Sequence, residues 1–135
     1  IYFTGWLNDI EISKWYRTAN VFLHLAWIDW FPNAAVEAFS SGLPIVTNNI
    51  GGTKEIVEKT NFGEIANIDD NLDFNYDLNL YKPPKVKNYD LITEAVKKAA
   101  IKSKEKEKYD LKYFSIDKCS KNYLEFIKGK DSFGK

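Results

Sequence analysis

Three short candidate strands alternate with segments of helical periodicity in the first half of this sequence. The candidate strands are Val21–Leu25, Ile45–Thr47 and, near the edge of the sheet, Phe62–Ile65, and the helical segments between them are Asn33–Ser41 and Lys54–Lys59. The continuous apolar run Val21–Leu25 is typical of a strand covered on both faces, as parallel strands are. Repeated strand–helix units predict an α/β fold in which helices flank a Rossmann-like parallel sheet.

The ends of these elements carry the expected signals. Gly42 follows one helical segment and Pro44 forbids its continuation, whereas Gly51 and Gly52 predict a tight turn into the next helix. At the N-terminus, Ile1–Thr4 is short and β-prone, which predicts a further strand before a helix at residues 8–18.

The second half is less regular. Residues 67–88 mix Asn, Asp and aromatic residues without a clear period, which predicts a long surface loop. A helix is expected from Tyr89 to about Lys108, and Ser115 is placed to cap a last amphipathic helix. We therefore expect one partial domain over residues 1–128 and a disordered tail over 129–135.

Charge and cysteine usage exclude several classes of partner. The chain has 19 basic and 19 acidic residues, which argues against nucleic acid as a partner. Cys119 is the only cysteine, so the sequence has no disulfide framework, and a reducing cytoplasm is the expected location. No apolar run approaches the roughly 18 residues that span a bilayer, so we expect no membrane contact from this part.

The segment from Asp29 to Phe39 carries the strongest signal of a site. It leads from the carboxyl end of a predicted strand through an irregular loop into a helix, and ligands of open parallel sheets bind at that edge. Pro32 suits a first helical turn and Asn33 can cap it, so the first backbone N–H groups are expected to point outward. Such a helix end suits a phosphate.

Two carboxylates in this segment have alternative interpretations. Glu37 is the only charged residue on its helix and shares a polar face with Asn33, Ser40 and Ser41, so it can accept hydrogen bonds from ribose hydroxyls. A solvated glutamate explains the same pattern equally well. Asp29, which precedes the helix, is by itself more typical of a turn or cap than of a catalyst.

These residues resemble the group 1, or family 4, retaining glycosyltransferases with the GT-B fold, specifically their C-terminal domain. The resemblance covers nearly the whole chain except residues 67–88. The matching segments are Thr4–Leu7, Trp15–Tyr16, Ala19–His24, Glu37–Val46, Gly51–Gly52, Glu55–Val57, Phe62–Gly63, Phe114–Asp117 and Asn122–Leu124.

The resemblance implies a role for each acid. In that family two acidic residues separated by seven others bracket the loop, and Asp29 and Glu37 have this spacing. By analogy Asp29 is the catalytic residue at the donor sugar and Glu37 holds the ribose. The donor-binding residues implied in this way are Gly5, Trp6, Leu7, Trp30, Phe31, Pro32, Asn33, Ala34 and Glu37.

The resemblance further implies a reaction and its partners. It implies transfer of a sugar from a nucleoside-diphosphate sugar to an acceptor hydroxyl, with retained configuration, no cofactor and no essential metal. The family's Arg and Lys pair and its N-terminal acceptor domain have no counterpart in this sequence, which also lacks a starting Met. We therefore expect this chain to be an N-terminally truncated part of a full-length parent and to have no activity alone.

Departures from the family pattern leave alternatives open. Asp29 and Trp30 stand where the family has Glu and Gly, so a non-catalytic nucleotide-binding or interaction module stays open as an alternative. A nucleotide-sugar 2-epimerase of the same fold fits the spacing of the acids less well. Trp27 and Trp30 can stack on a sugar or pack, His24 is interpreted as a core histidine, and Glu55 as a carboxylate at a helix start.

Overall fold

The computed structural model describes residues 1–26, 29–68, 86 and 88–128. In chain order the elements are α1 (Asp9–Thr18), β1 (Phe22–His24), α2 (Asn33–Ser40), β2 (Ile45–Asn48), α3 (Thr53–Thr60), β3 (Gly63–Ala66), α4 (Tyr89–Lys102), a 3₁₀ helix (Ser103–Lys108) and α5 (Ile116–Ile127). Helices and strands thus alternate from α1 to β3.

The three strands form one parallel sheet in the order β1-β2-β3. Phe22 pairs with Ile45 across the first ladder, and Ile45 pairs with Gly63 across the second. Every residue of the central strand β2 is buried, which explains why its sequence is apolar without alternation. The predicted fold class, an α/β fold with helices around a Rossmann-like parallel sheet, is confirmed.

Successive residues of β2 point to opposite faces of the sheet and nucleate two separate clusters. Ile45 packs with Phe39 of α2 and Ile56 of α3 on one face. On the other face Val46 packs with Ala99 of α4. The sheet therefore forms the middle layer of three, and its carboxyl edge lies open to the loops that precede α2 and α3.

Gly42 ends α2 as its position in the sequence predicts. Its φ is +86°, and the N–H of Leu43 reaches back to the carbonyl of Ala38 at 3.0 Å. This pattern closes the last helical turn and directs the chain into Pro44 and the start of β2.

Four predictions about elements either need correction or fall mostly outside the described residues. Ile1–Thr4 is not a strand: its side chains are exposed and it pairs with no strand among the described residues, and an extended segment cannot hold strand geometry without a partner for its backbone groups. The α-helix that begins at Tyr89 ends at Lys102 rather than about Lys108, because Glu105 has non-helical backbone angles. The predicted loop and tail fall mostly outside the described residues.

Lys102 joins α4 to the edge strand. Its Nζ donates to the carbonyl oxygens of Asn61 at 3.2 Å and Gly63 at 2.6 Å, and it lies 2.8 Å from a carboxylate oxygen of Glu64. One amine thus donates hydrogen bonds both to the end of α3 and to the start of β3.

Replacing Lys102 by Met should therefore lower the free energy of unfolding by about 1–2 kcal/mol, because carbonyl groups lose a charged donor. Lys98→Met is the matched control on the same helix: its pair with Glu94 is exposed and 3.6 Å long, so its loss should cost less than about 0.5 kcal/mol. Urea denaturation of both variants measures the difference, and equal losses would contradict an anchoring role for Lys102.

Candidate functional site

Two helix N-termini lie at the carboxyl edge of the sheet. Because β1 and β2 are parallel, the loops that follow them bring the starts of α2 and α3 to the same edge. The N-cap positions are Pro32 and Gly52, and neither supplies a side-chain hydrogen bond. Asn33 is the first helical residue and not the cap, which corrects the sequence prediction. The first N–H groups of both helices are thus left to other partners, and such ends favour anions.

The turn before α3 is pressed against the loop before α2. The N–H of Gly52 donates to the carbonyl of Asp29 at 2.7 Å. A Cβ atom on Gly52 would lie 1.4 Å from the carbonyl oxygen of Trp30, and one on Gly51 would lie 2.8 Å from that of Asp29. Glycine is therefore required here by contact between two backbones, and this contact positions the Asp29–Phe31 loop.

Asn48 ties the same two loops together one step closer to the sheet. It is buried at the end of β2, and its Nδ2 donates to the carbonyl of Ala26 at 3.1 Å. Its Oδ1 accepts from the backbone N–H of Ile50, also at 3.1 Å. One amide thus bridges the chain after β1 and the chain after β2.

His24, Asp29 and Thr53 form a polar cluster at this edge. The Nδ1 atom of His24 lies 3.0 Å from Oγ1 of Thr53, and its Nε2 atom lies 3.9 Å from a carboxylate oxygen of Asp29. The His24 ring also stacks on Phe22, with centroids 6.0 Å apart. His24 is therefore held by contacts on two sides and turns its remaining nitrogen toward the acid.

Glu37 lies in a different cluster, in the groove between α1 and α2. The hydroxyl of Tyr16 is 3.4 Å from a carboxylate oxygen of Glu37 and 3.4 Å from the carbonyl of Ala34. Partial burial, together with the neighbouring charge of Glu37, raises the pKa of Tyr16 above its ordinary 10.0. The phenol consequently remains a neutral donor at physiological pH.

This groove holds a cavity of about 370 Å³. Its lining residues are Asp9, Ile12, Ser13, Tyr16, Glu37, Ser40 and Ser41. Among the described residues that line it, none carries a positive charge, while two carboxylates and several hydroxyls face it. Of the predicted polar face of α2, Glu37, Ser40 and Ser41 line this groove, whereas Asn33 does not.

The other residues predicted at the site are distributed unevenly. Trp30, Asn33 and Ala34 are exposed around the start of α2, and Pro32 is buried beneath them. Phe31 packs edge-on against Phe114, with centroids 5.6 Å apart, so the chain before α5 supports the loop. Trp27 lies outside the described residues.

Gly5, Trp6 and Leu7 stand apart from the two acids. No hydrogen bond or ring contact within the described ranges joins them to Asp29 or Glu37, and a Cβ on Gly5 would meet nothing within 4 Å. They precede α1, whose first residue Asp9 does line the cavity. Their implied role in donor binding stays a prediction.

Sequence reasoning did not select Tyr16 or Thr53 as site residues, and it interpreted His24 as a core histidine without naming a partner for its ring. Tyr16 and Glu37 are 21 residues apart, and His24 and Thr53 are 29 apart, so no local pattern links either pair. A polar ring inside an apolar strand was the one signal that could have identified His24.

Two negative findings concern only the parts of the chain that the structure describes. They contain no group of three or more His, Cys, Asp or Glu side chains placed to hold a metal ion. None of their helices is long and apolar enough to cross a membrane.

Two comparisons with known proteins match part of this chain. Residues 1–76 match the family profile described as Glycosyl transferases group 1. A protein of a virus (isolate Australia/Victoria), named "Putative glycosyltransferase ORF31", is 42% identical over 48 residues, which cover 36% of this chain and 15% of the viral protein. The match thus spans a small part of that relative's length. No solved structure matches the chain.

Proposed function

Because this chain belongs to the group 1 glycosyltransferase family, we propose that it supplies the nucleotide-sugar-binding part of a retaining hexosyltransferase with a GT-B fold. The donor is a nucleoside-diphosphate sugar, and the acceptor is a hydroxyl held by a second, N-terminal domain. The supporting observation is the placement of Asp29 before, and Glu37 within, a helix whose N-terminus lies without a side-chain cap at the carboxyl edge of the sheet.

The cavity beside Glu37 favours the ribose of the donor over its phosphates. Its carboxylates accept hydrogen bonds from paired hydroxyls, whereas they would repel a diphosphate. The Tyr16 hydroxyl holds one oxygen of Glu37 and leaves the other oxygen for a ligand. A neutral, hydroxyl-bearing group is therefore the best match to this groove.

The diphosphate belongs at the start of α2. The N–H groups of Asn33 and Ala34 have no hydrogen-bond partner among the described residues, and the helix dipole favours an anion there. As the bond between the sugar and the diphosphate breaks, negative charge grows on the departing phosphate, and fixed dipoles at this position stabilise it. Asp29, in the loop just before, meets hydroxyls of the sugar.

Backbone dipoles alone leave much of this charge uncompensated. A basic pair and an acceptor domain from a longer chain would supply the missing charge and hold the second substrate. We therefore propose that these residues bind a donor but do not transfer sugar without that domain, and that no metal is needed.

A nucleotide-binding module without transferase chemistry is the second candidate. The cavity at Glu37 does not include Asp29, so nucleotide binding does not depend on the residue that departs from the family pattern. Loss of the basic pair from the parent protein would favour this candidate, whereas its presence would favour the enzyme.

Calorimetric titration with UDP and GDP tests donor binding. One nucleotide should bind, and Glu37→Ala should weaken it by about tenfold or more, because a charged acceptor of ribose hydroxyls is lost. Tyr16→Phe should weaken it less, since Glu37 remains.

Glu58→Ala is the matched control for Glu37→Ala. Glu58 is an exposed carboxylate on α3 and does not line the cavity, so its loss should leave affinity unchanged. A folded chain that binds neither nucleotide, or whose affinity is insensitive to Glu37, would contradict the proposed function.

A further inference from the structure

The His24 ring is fixed more firmly than packing alone requires. Its side chain is 19% exposed at the end of β1, its face stacks on Phe22, and Nδ1 is 3.0 Å from the hydroxyl of Thr53. Thr53 is itself buried at the first residue of α3. Orientation of the ring is thus set by two neighbours from different elements.

The hydroxyl of Thr53 can donate to Nδ1, which leaves the ring proton on Nε2. That nitrogen faces the Asp29 carboxylate at 3.9 Å, and this carboxylate remains 37% exposed. The separation is longer than a hydrogen bond, but polar contacts at such sites often tighten only when a ligand is bound. Asp29 therefore has one side directed to His24 and another open to solvent.

The main chain of Asp29 is held by the same turn. Gly52 donates its N–H to the Asp29 carbonyl at 2.7 Å, and Thr53 is the next residue. Consecutive residues at the start of α3 thus control the backbone of Asp29 directly and its side chain through the imidazole.

We propose that His24 is a positioning residue for Asp29: held by Thr53, its imidazole orients the carboxylate toward the donor sugar. The inference rests on the proposed function, because it takes Asp29 to contact that sugar. His24 itself touches no substrate, and its effect should therefore be confined to the sugar and not extend to the nucleotide.

Binding of UDP and GDP is compared with that of their glucose, galactose, mannose and N-acetylglucosamine conjugates, using the full chain. The conjugate that binds most tightly defines the contribution of the sugar to affinity. His24→Phe keeps an aromatic ring stacked on Phe22. It should leave the affinity for the nucleotide unchanged and weaken binding of this conjugate about tenfold. His24→Gln, which restores a donor, should recover part of the lost affinity.

A double-mutant cycle shows whether His24 acts through Asp29. In an Asp29→Asn background, His24→Phe should have almost no further effect on conjugate binding. If the two residues acted independently, the fold-losses in affinity of the two substitutions would multiply. Multiplying effects would overturn the proposal, as would unchanged conjugate binding in His24→Phe alone.

The pair Thr53→Val and Thr53→Ser decides the question if His24→Phe fails to fold. Valine is close in size to threonine and removes the hydroxyl, so it should reproduce the loss of sugar affinity, while serine should not. Equal behaviour of the two variants would overturn the proposal.

The two proposals fail in different ways. Failure of every nucleotide to bind the folded wild type would overturn the proposed function. Nucleotide binding that no sugar strengthens would overturn the assignment of Asp29 to the sugar, and the role of His24 with it.

Discussion

Gly52→Ala should lower the free energy of unfolding by about 3 kcal/mol or more, because the new methyl group would overlap a backbone atom. The Cβ would lie 1.4 Å from the carbonyl oxygen of Trp30, and backbone on both sides prevents simple relief. Moving the turn would also break the 2.7 Å hydrogen bond to Asp29. We expect a large drop in the urea midpoint, together with loss of sugar-dependent donor binding.

The matched control separates steric overlap from backbone strain. Gly52 has φ of −77°, which alanine adopts freely, whereas Gly5 has φ of +68° and open space around its Cβ position. Gly5→Ala should therefore cost only about 1–2 kcal/mol, from the left-handed backbone alone. If Gly52→Ala is no more damaging than Gly5→Ala, the two loops are not in contact in solution.

Phe39→Ala should destabilise the protein by about 3–5 kcal/mol, the usual cost of removing a fully buried aromatic ring. Phe39 is 0% exposed and meets Phe62 and Phe114 edge-on, with centroids 6.1 and 5.6 Å away. Phe114 also packs against Phe31, so the void left by removing the Phe39 ring should loosen the loop before α2. Chemical denaturation measures the loss of stability. Nucleotide titration at a denaturant concentration just below the unfolding transition measures the effect on the site.

Two variants calibrate this prediction. Phe39→Leu keeps much of the volume and should cost clearly less than alanine. Tyr123→Ala removes a mostly exposed ring from α5 and should change stability by no more than about 0.5 kcal/mol. A Phe39→Ala variant as stable as Tyr123→Ala would contradict the observed core.

Local signals in the sequence were sufficient for most of the sheet and its helices. Of the predicted strands only β2 is covered on both faces, whereas Leu23 in β1 is 49% exposed. Gly42 and Pro44 mark one helix end without reference to any distant residue. The polar face of α2 followed from helical spacing alone, and three of its residues, Glu37, Ser40 and Ser41, line a groove in the structure. These features depend on neighbours within a few positions.

Ile1–Thr4 marks the limit of that reasoning. Its β propensity is real, but a strand forms only when another strand accepts its backbone hydrogen bonds, and propensity contains no information about that partner. The premature end of α4 has a similar cause, since the chain bends at Glu105 as it turns toward Tyr109, which packs on Phe62.

The sequence by itself determined the order of the elements from β1 to β3 and the positions of Asp29 before, and Glu37 within, one helix. That a ligand binds at this edge of the sheet stays a prediction. Only the tertiary structure decided which side chains accompany those acids: Tyr16 beside Glu37, and His24 with Thr53 beside Asp29. The physical reason is the separation along the chain of the residues that interact. Periodicity and capping arise from neighbours along the chain, whereas these partners are brought together by parallel strand pairing and by the glycine turn that packs against the Asp29 loop.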